Sequence, residues 1–130
     1  MNRRGVNMAY ELDGINQIEF EELKEVIKND DDERIVIDVR EPEEYEEAHI
    51  PKIPLIPMQS IPNVIEEFDK SKEYVFVCRS GTRSQNVAMF FKQHGFNKVT
   101  NYAGGMLSWA AETNQGRENI VEKISDLYKK

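Results

Sequence analysis

The chain contains one cysteine, Cys78, and it heads the segment Cys-Arg-Ser-Gly-Thr-Arg-Ser over residues 78–84, directly after the apolar run Tyr-Val-Phe-Val. A thiol at the carboxyl end of a short apolar strand, with a helix beginning near Ser84, is placed for nucleophilic chemistry. Arg79, Ser80, Gly81, Thr82 and Arg83 must turn the chain sharply, and Gly81 can adopt backbone angles that the others resist. A loop that curls round the sulfur points its N–H groups inward as an anion-binding nest, while the following helix adds the positive end of its dipole. With Arg79 and Arg83 nearby, a thiolate is stabilised there. The competing reading is a strand-end cysteine that packs as a small hydrophobe, the commoner fate of a lone cysteine. The strand, loop and helix setting favours the nucleophile.

Other chemistries find little support. One cysteine cannot form an internal disulfide, and with only His49 and His94 beside it no metal-ligand spacing is recognisable, so neither a metal nor another cofactor is expected. A formal net charge of −7 argues against general nucleic-acid binding, which needs a basic face. No window approaches the roughly 18 apolar residues that span a bilayer, and the basic start Met-Asn-Arg-Arg lacks a following apolar stretch of signal-peptide length. The expectation is a cytoplasmic protein without a membrane partner.

The elements that must position the loop can be read from periodicity. Phe20, Leu23, Val26 and Ile27 stand at helical spacing before the acidic run Asp30 to Glu33. Arg-Ile-Val-Ile-Asp-Val (34–39) lacks polar alternation, as in a strand buried on both faces. Pro42 suits a first helical turn, so 42–49 reads as a short helix. Pro51, Pro54 and Pro57 then forbid a long element, leaving room for a short strand around Leu55 and Ile56. Residues 63–68 read as a second short helix, 73–78 as a strand, 84–95 as an amphipathic helix capped by Gly95, and 98–102 as the last strand. In the tail, Ile120, Ile124 and Leu127, with Val121, predict a terminal helix. Alternating strands and helices imply an α/β fold, a parallel sheet with helices on both faces, and ligands beyond the carboxyl ends of the strands. The whole chain, 1–130, reads as one domain with no internal repeat.

Three stretches, Ile-Asp-Val-Arg-Glu-Pro-Glu-Glu-Tyr-Glu-Glu-Ala-His-Ile-Pro (37–51), Val-Phe-Val-Cys-Arg-Ser-Gly-Thr-Arg-Ser (75–84) and Gly-Phe-Asn-Lys-Val-Thr-Asn-Tyr-Ala-Gly-Gly-Met-Leu-Ser-Trp (95–109), together resemble the single-domain rhodanese sulfurtransferases. The resemblance covers about residues 18–112, leaving a polar N-terminal extension and the C-terminal helix outside it. It implies the rhodanese-like fold, a central parallel sheet flanked by helices, with Cys78 accepting sulfur as a persulfide inside a cradle made by the backbone of Arg79, Ser80, Gly81, Thr82 and Arg83. Thiosulfate or a low-molecular-weight persulfide would be the donor. With no resolving cysteine, the acceptor must be external: cyanide, a cellular thiol or a protein. Arg79 is expected at the entrance, attracting anionic donors. Arg83 is expected to fix the loop's curvature by hydrogen bonds, or else to contact substrate.

Two alternatives stay open. Cysteine-dependent phosphatases and arsenate reductases also set a thiolate in an anion-binding loop before a helix, but typically with five residues between cysteine and arginine, whereas four separate Cys78 from Arg83. A shorter ring suits one sulfur better than a tetrahedral oxyanion, and Val77 stands where phosphatases often have histidine. The other alternative is a non-enzymatic interaction module on the same fold. Beside the loop, Asp38 and Arg40 should lie at the same sheet edge and support the site, Asp38 capping the next turn and Arg40 pairing with a glutamate of 41–47. His49 reads as a hydrogen-bonded turn residue and His94 as a helix-terminal one. Gly104 and Gly105 allow a close turn into a short helix near the loop, with Trp109 filling the core. The family commonly has glycine before the histidine and glycine-alanine after the following Ile-Pro. Here Ala48, Lys52 and Ile53 take those places, so the path of residues 50–62, one wall of the site, departs from that pattern.

Overall fold

The β-branched and aromatic runs of the sequence form the strands of a five-stranded sheet. A computed structural model describes residues 10–129. The basic start over residues 1–9, and with it most of the polar extension, lies outside the described residues. The elements in chain order are β1 (Tyr10–Leu12), β2 (Ile15–Ile18), α1 (Phe20–Lys28), β3 (Ile35–Asp38), α2 (Pro42–Glu47), α3 (Ile61–Val64), β4 (Tyr74–Val77), α4 (Thr82–Gln93), β5 (Val99–Tyr102) and α5 (Gly105–Ser108). The spatial order is β1-β2-β5-β4-β3. Strands β2, β5, β4 and β3 are parallel, and β1 closes one edge antiparallel to β2.

The parallel sheet agrees with the expectation, and β4, buried at every residue, lies inside it between β5 and β3. Alternate residues of the strands feed two cores. On one face Ile15, Ile37, Phe76 and Cys78 pack with Val87, Ala88 and Phe91 of α4 and with Phe68 and Phe96. On the other, Ile18, Val36, Val75, Val77 and Tyr102 pack with Leu23 and Val26 of α1. Helices therefore cover both faces, and Cys78 belongs to the α4 side.

Four details differ from the sequence reading. The hairpin of β1 and β2 was not expected; it turns at Asp13 and Gly14, both with positive φ, as a two-residue Asp-Gly hairpin turn requires. The helix expected over 63–68 is a run of shorter turns, 3₁₀ at Met58–Ser60, α3, then 3₁₀ at Ile65–Glu67. The terminal helix is only a 3₁₀ turn, Ile124–Tyr128, because the chain before it extends: Leu55 bridges both Asp38 and Ile120, making the short strand expected near Leu55 a link between β3 and the tail. Trp109 does not fill the core. It sits half-buried at the rim, its ring edge-on to Phe20 at 5.2 Å, and its Nε1 donates to the Glu112 carbonyl.

Candidate active site

Strand β4 delivers Cys78 to the carboxyl edge of the sheet, where its side chain is fully buried. Helix α4 begins at Thr82, two residues earlier than the sequence suggests, so Ser84 falls in its first turn. The first N–H groups of a helix have no intrahelical acceptor. Here the sulfur supplies one: Ser84 N donates to Cys78 Sγ at 3.3 Å and Ser84 Oγ at 3.2 Å, while Gly81 N donates at 3.1 Å. Three donors converge on one atom at the positive end of a 12-residue helix. Ser84 was missed by the sequence reading because its role depends on where the helix starts.

The loop is held from behind by the short helix α5. Met106 N donates to the Cys78 carbonyl at 2.8 Å and Leu107 N to the Arg79 carbonyl at 3.0 Å, which turns those two carbonyls away from the sulfur. Two glycines permit the approach. Gly81 has φ +94° and a Cβ there would overlap the Ala103 carbonyl; Gly105 has φ +61° and a Cβ would overlap the Arg79 carbonyl. The closeness of the two loops was expected; the donation by Met106 and Leu107 was not, because a backbone N–H has no sequence signature.

The two arginines of the loop have separate surroundings. Arg79 and Ser80 are exposed. Arg83 reaches across to α2, its guanidinium gripping Glu44 through two bonds of 2.7 and 2.9 Å, rather than bonding within the loop. That grip, only partly opposed by burial, holds the Glu44 carboxyl down at about 2 and pushes the Arg83 guanidinium up. Glu44 also accepts from Glu41 N at the start of α2, so the helix that presents it is fixed by the same carboxylate. Thr82 is exposed.

Asp38 and Arg40 lie at the end of β3, beside Val77. Asp38 accepts from Arg40 N at 3.0 Å, the turn-capping role expected of it. The Arg40 guanidinium pairs with Asp38 itself at 2.9 Å, not with a glutamate of α2, and donates to the Ala48 carbonyl at 2.8 Å. Both residues are buried, and a buried guanidinium must find its partner close at hand. Their bonds run to each other and to the end of α2, not to the sulfur. His49 is buried too, stacked on Tyr45 with ring centroids 3.8 Å apart, its nitrogens 2.8 Å from the Tyr45 carbonyl and 2.9 Å from Glu118. His94 bonds the Phe90 carbonyl. Clefts of about 440 and 510 Å³ lie elsewhere, lined by residues such as Arg34 and Val36 or Lys24 and Trp109, and neither includes Cys78. The candidate site is a cradle around one atom.

The rhodanese-like domain family model matches residues 19–112. A protein of Bacillus subtilis named "Putative sulfurtransferase YtwF" is 48% identical over 99 residues, covering 76% of this chain and 94% of that protein. The thiosulfate:glutathione sulfurtransferase of Saccharomyces cerevisiae is 30% identical over 113 residues, covering 77% and 81%. Among solved structures, a rhodanese-like domain protein from Staphylococcus aureus superposes with a TM-score of 0.68 at 33% identity, covering 76% of this chain and 96% of that one.

Proposed function

The chain belongs to the rhodanese-like domain family, and on that premise we propose that it is a sulfurtransferase whose nucleophile is Cys78, moving sulfane sulfur from thiosulfate or a persulfide donor to an external acceptor. The observation that carries this reading is the convergence of Gly81 N, Ser84 N and Ser84 Oγ on the cysteine sulfur. In the first half-reaction the Cys78 thiolate attacks the outer sulfur of thiosulfate, the sulfur–sulfur bond of the donor breaks, and sulfite leaves with the electron pair. The product is a persulfide anion on Cys78. In the second, cyanide or a thiolate attacks the terminal sulfur, the new sulfur–sulfur bond breaks, and the Cys78 thiolate is restored. The backbone of Arg79 to Arg83 forms the cradle for the terminal sulfur, with donors already oriented before charge arrives there.

Arg79, exposed and next in the chain to Cys78, attracts anionic donors. Arg83 acts through Glu44, tying the loop to α2. Asp38 and Arg40 brace the neighbouring strand end. The acceptor is a small thiol or a protein. Among the described residues no helix is long and apolar enough to cross a membrane. A lone cysteine that must stay unoxidised to act suits the reducing cytoplasm, where we place the protein. Steady-state assay with thiosulfate and cyanide tests the reading: the protein should form thiocyanate and Cys78→Ser should form none. Thiocyanate formation by that variant would overturn the assignment of the nucleophile.

A further inference from the structure

Three side-chain amides join the N-terminal hairpin to the back of the sulfur loop. Gln85 Nε2 donates to the Leu12 carbonyl at 2.8 Å, and Gln85 Oε1 accepts from Gln17 Nε2 at 2.6 Å. Gln17 Nε2 also donates to the Ile15 carbonyl at 3.1 Å, and Gln17 Oε1 accepts from Asn101 Nδ2 at 2.9 Å. The same Asn101 Nδ2 donates to the Gly81 carbonyl at 3.1 Å. Backbone carbonyls, which only accept, stand at both ends, so the direction of every amide in the chain is determined. Turning any one over would set acceptor against acceptor.

This order carries a cost. All three side chains are buried, and Asn101 Oδ1 is left buried without a hydrogen-bond partner among the described residues. Asparagine is also a poor strand former, and packing alone would favour an apolar residue beside Phe76, its neighbour across β4. What Asn101 does reach is Gly81, whose N–H donates to the cysteine sulfur and whose carbonyl accepts from both Asn101 and Gln85 N.

We propose that Asn101 is a positioning residue for sulfur transfer. It holds the Gly81 carbonyl toward β5, so that the Gly81 N–H stays aimed at Cys78 Sγ. Because the C=O of Gly81 and the N–H of Thr82 point opposite ways across one planar peptide, the same grip turns the Thr82 N–H away from β5, free to meet the terminal sulfur of the persulfide. Gln17 and Gln85 set the direction of the Asn101 amide from the hairpin side. The inference rests on the sulfurtransferase reading. The terminal sulfur gains its charge during transfer, so a loosened Gly81 weakens the transition state more than donor binding, lowering kcat with little change in KM.

The test compares Asn101→Leu, similar in volume but without a donor, with the wild type and with Val26→Ala, a destabilised control on the other face of the sheet. Assay with thiosulfate and cyanide gives kcat and KM, and amide hydrogen exchange followed by NMR reports on Gly81. Asn101→Leu should lower kcat about tenfold with KM within about twofold. Its Gly81 amide should exchange at least about tenfold faster. Val26→Ala should keep kcat and KM, and its Gly81 amide should speed up no more than other buried sheet amides, because lost stability acts on all of them together whereas the loss of the Asn101 donor acts on Gly81. Gln17→Leu, further from the sulfur, should lower kcat by about threefold, and add nothing in the Asn101→Leu background. That variant keeps the inference testable if Asn101→Leu does not fold. If the wild type transfers sulfur and the amide variants keep its kcat and its Gly81 exchange, the inference is wrong while the sulfurtransferase reading stands. A wild type that transfers no sulfur would overturn that reading and the inference with it.

Discussion

Cys78 and His49 are both fully buried, and both belong to stretches that carry the family resemblance, yet their surroundings differ in kind. The cysteine sulfur is met by donors alone, two backbone N–H groups and a hydroxyl, in a loop whose carbonyls are drawn off by Met106 and Leu107. The imidazole is used up: one nitrogen on the Tyr45 carbonyl, the other on Glu118, and a face on the Tyr45 ring. An atom ringed by unopposed donors can carry new negative charge, whereas a ring with both nitrogens engaged holds the chain together. Burial by itself therefore says little about function. The sign of what surrounds the buried group says more.

The contrast should survive mutation of both sites. Gly81→Ala forces a side chain into the Ala103 carbonyl at a positive φ, so the loop must move and the cradle opens. Thiocyanate formation should fall about 100-fold or more. His49→Phe keeps the stack on Tyr45 and removes both hydrogen bonds. Urea denaturation should show a loss of about 1–3 kcal/mol, while kcat of the folded fraction stays within about twofold. A catalytic loss from His49→Phe as large as that from Gly81→Ala would break the comparison.

The arginines sharpen it within the loop. Arg79→Ala should raise KM for thiosulfate by about three- to tenfold and leave kcat nearly unchanged, with the difference shrinking at high salt. Arg83→Ala, which releases the loop from α2, should lower kcat by about three- to tenfold instead. Equal, small effects would show that neither role is right.

Acid unfolding tests the Glu44–Arg83 pair on its own. Glu44 is held at about 2, below its usual 4.5, chiefly by the bond from Arg83. A carboxyl depressed on folding stabilises fully above its unfolded value and loses that contribution as pH falls through the folded one. The stability difference between wild type and Arg83→Ala should therefore be constant above about pH 4.5 and vanish toward pH 2. For a pair this accessible it should stay below about 1 kcal/mol. A difference that grew on acidification would contradict the pairing.

The smallest expected effect lies in the segment that departs from the family pattern. Lys52 sits at φ +72°, where the family commonly has glycine, with its N–H on Glu118 at 3.3 Å. Lys52→Gly should stabilise the protein by about 0.5–1 kcal/mol without altering sulfur transfer. Destabilisation would show that the Lys52 side chain contributes something the backbone geometry does not reveal.

Much of this arrangement was legible. The apolar runs of β3, β4 and β5, the spacing of α1 and α4, and the Cys78 loop with Gly81 all follow local rules of periodicity and turn chemistry. The hairpin was not seen, although Asp13 and Gly14 carry its turn signal, because β1 is exposed throughout and β2 buries Gln17. A polar residue in a strand looks like surface until its partners, Gln85 and Asn101, are known. The tail misled for the opposite reason. Ile120, Ile124 and Leu127 stand at helical spacing, but Ile120 is taken by the bridge to Leu55 and only the remainder turns. The grips on the loop by Met106, Glu44 and Asn101 depend on residues far away in the chain, and no local pattern announces them.

The central claim is that Cys78 carries the sulfur, and intact-protein mass spectrometry after brief incubation with thiosulfate tests it most directly. The wild type should gain the mass of one sulfur atom, located on Cys78 by peptide mapping and removed by cyanide as thiocyanate. Cys78→Ser should gain nothing. A wild type that stays unmodified while still producing thiocyanate, or a Cys78→Ser protein that acquires the sulfur, would contradict the account.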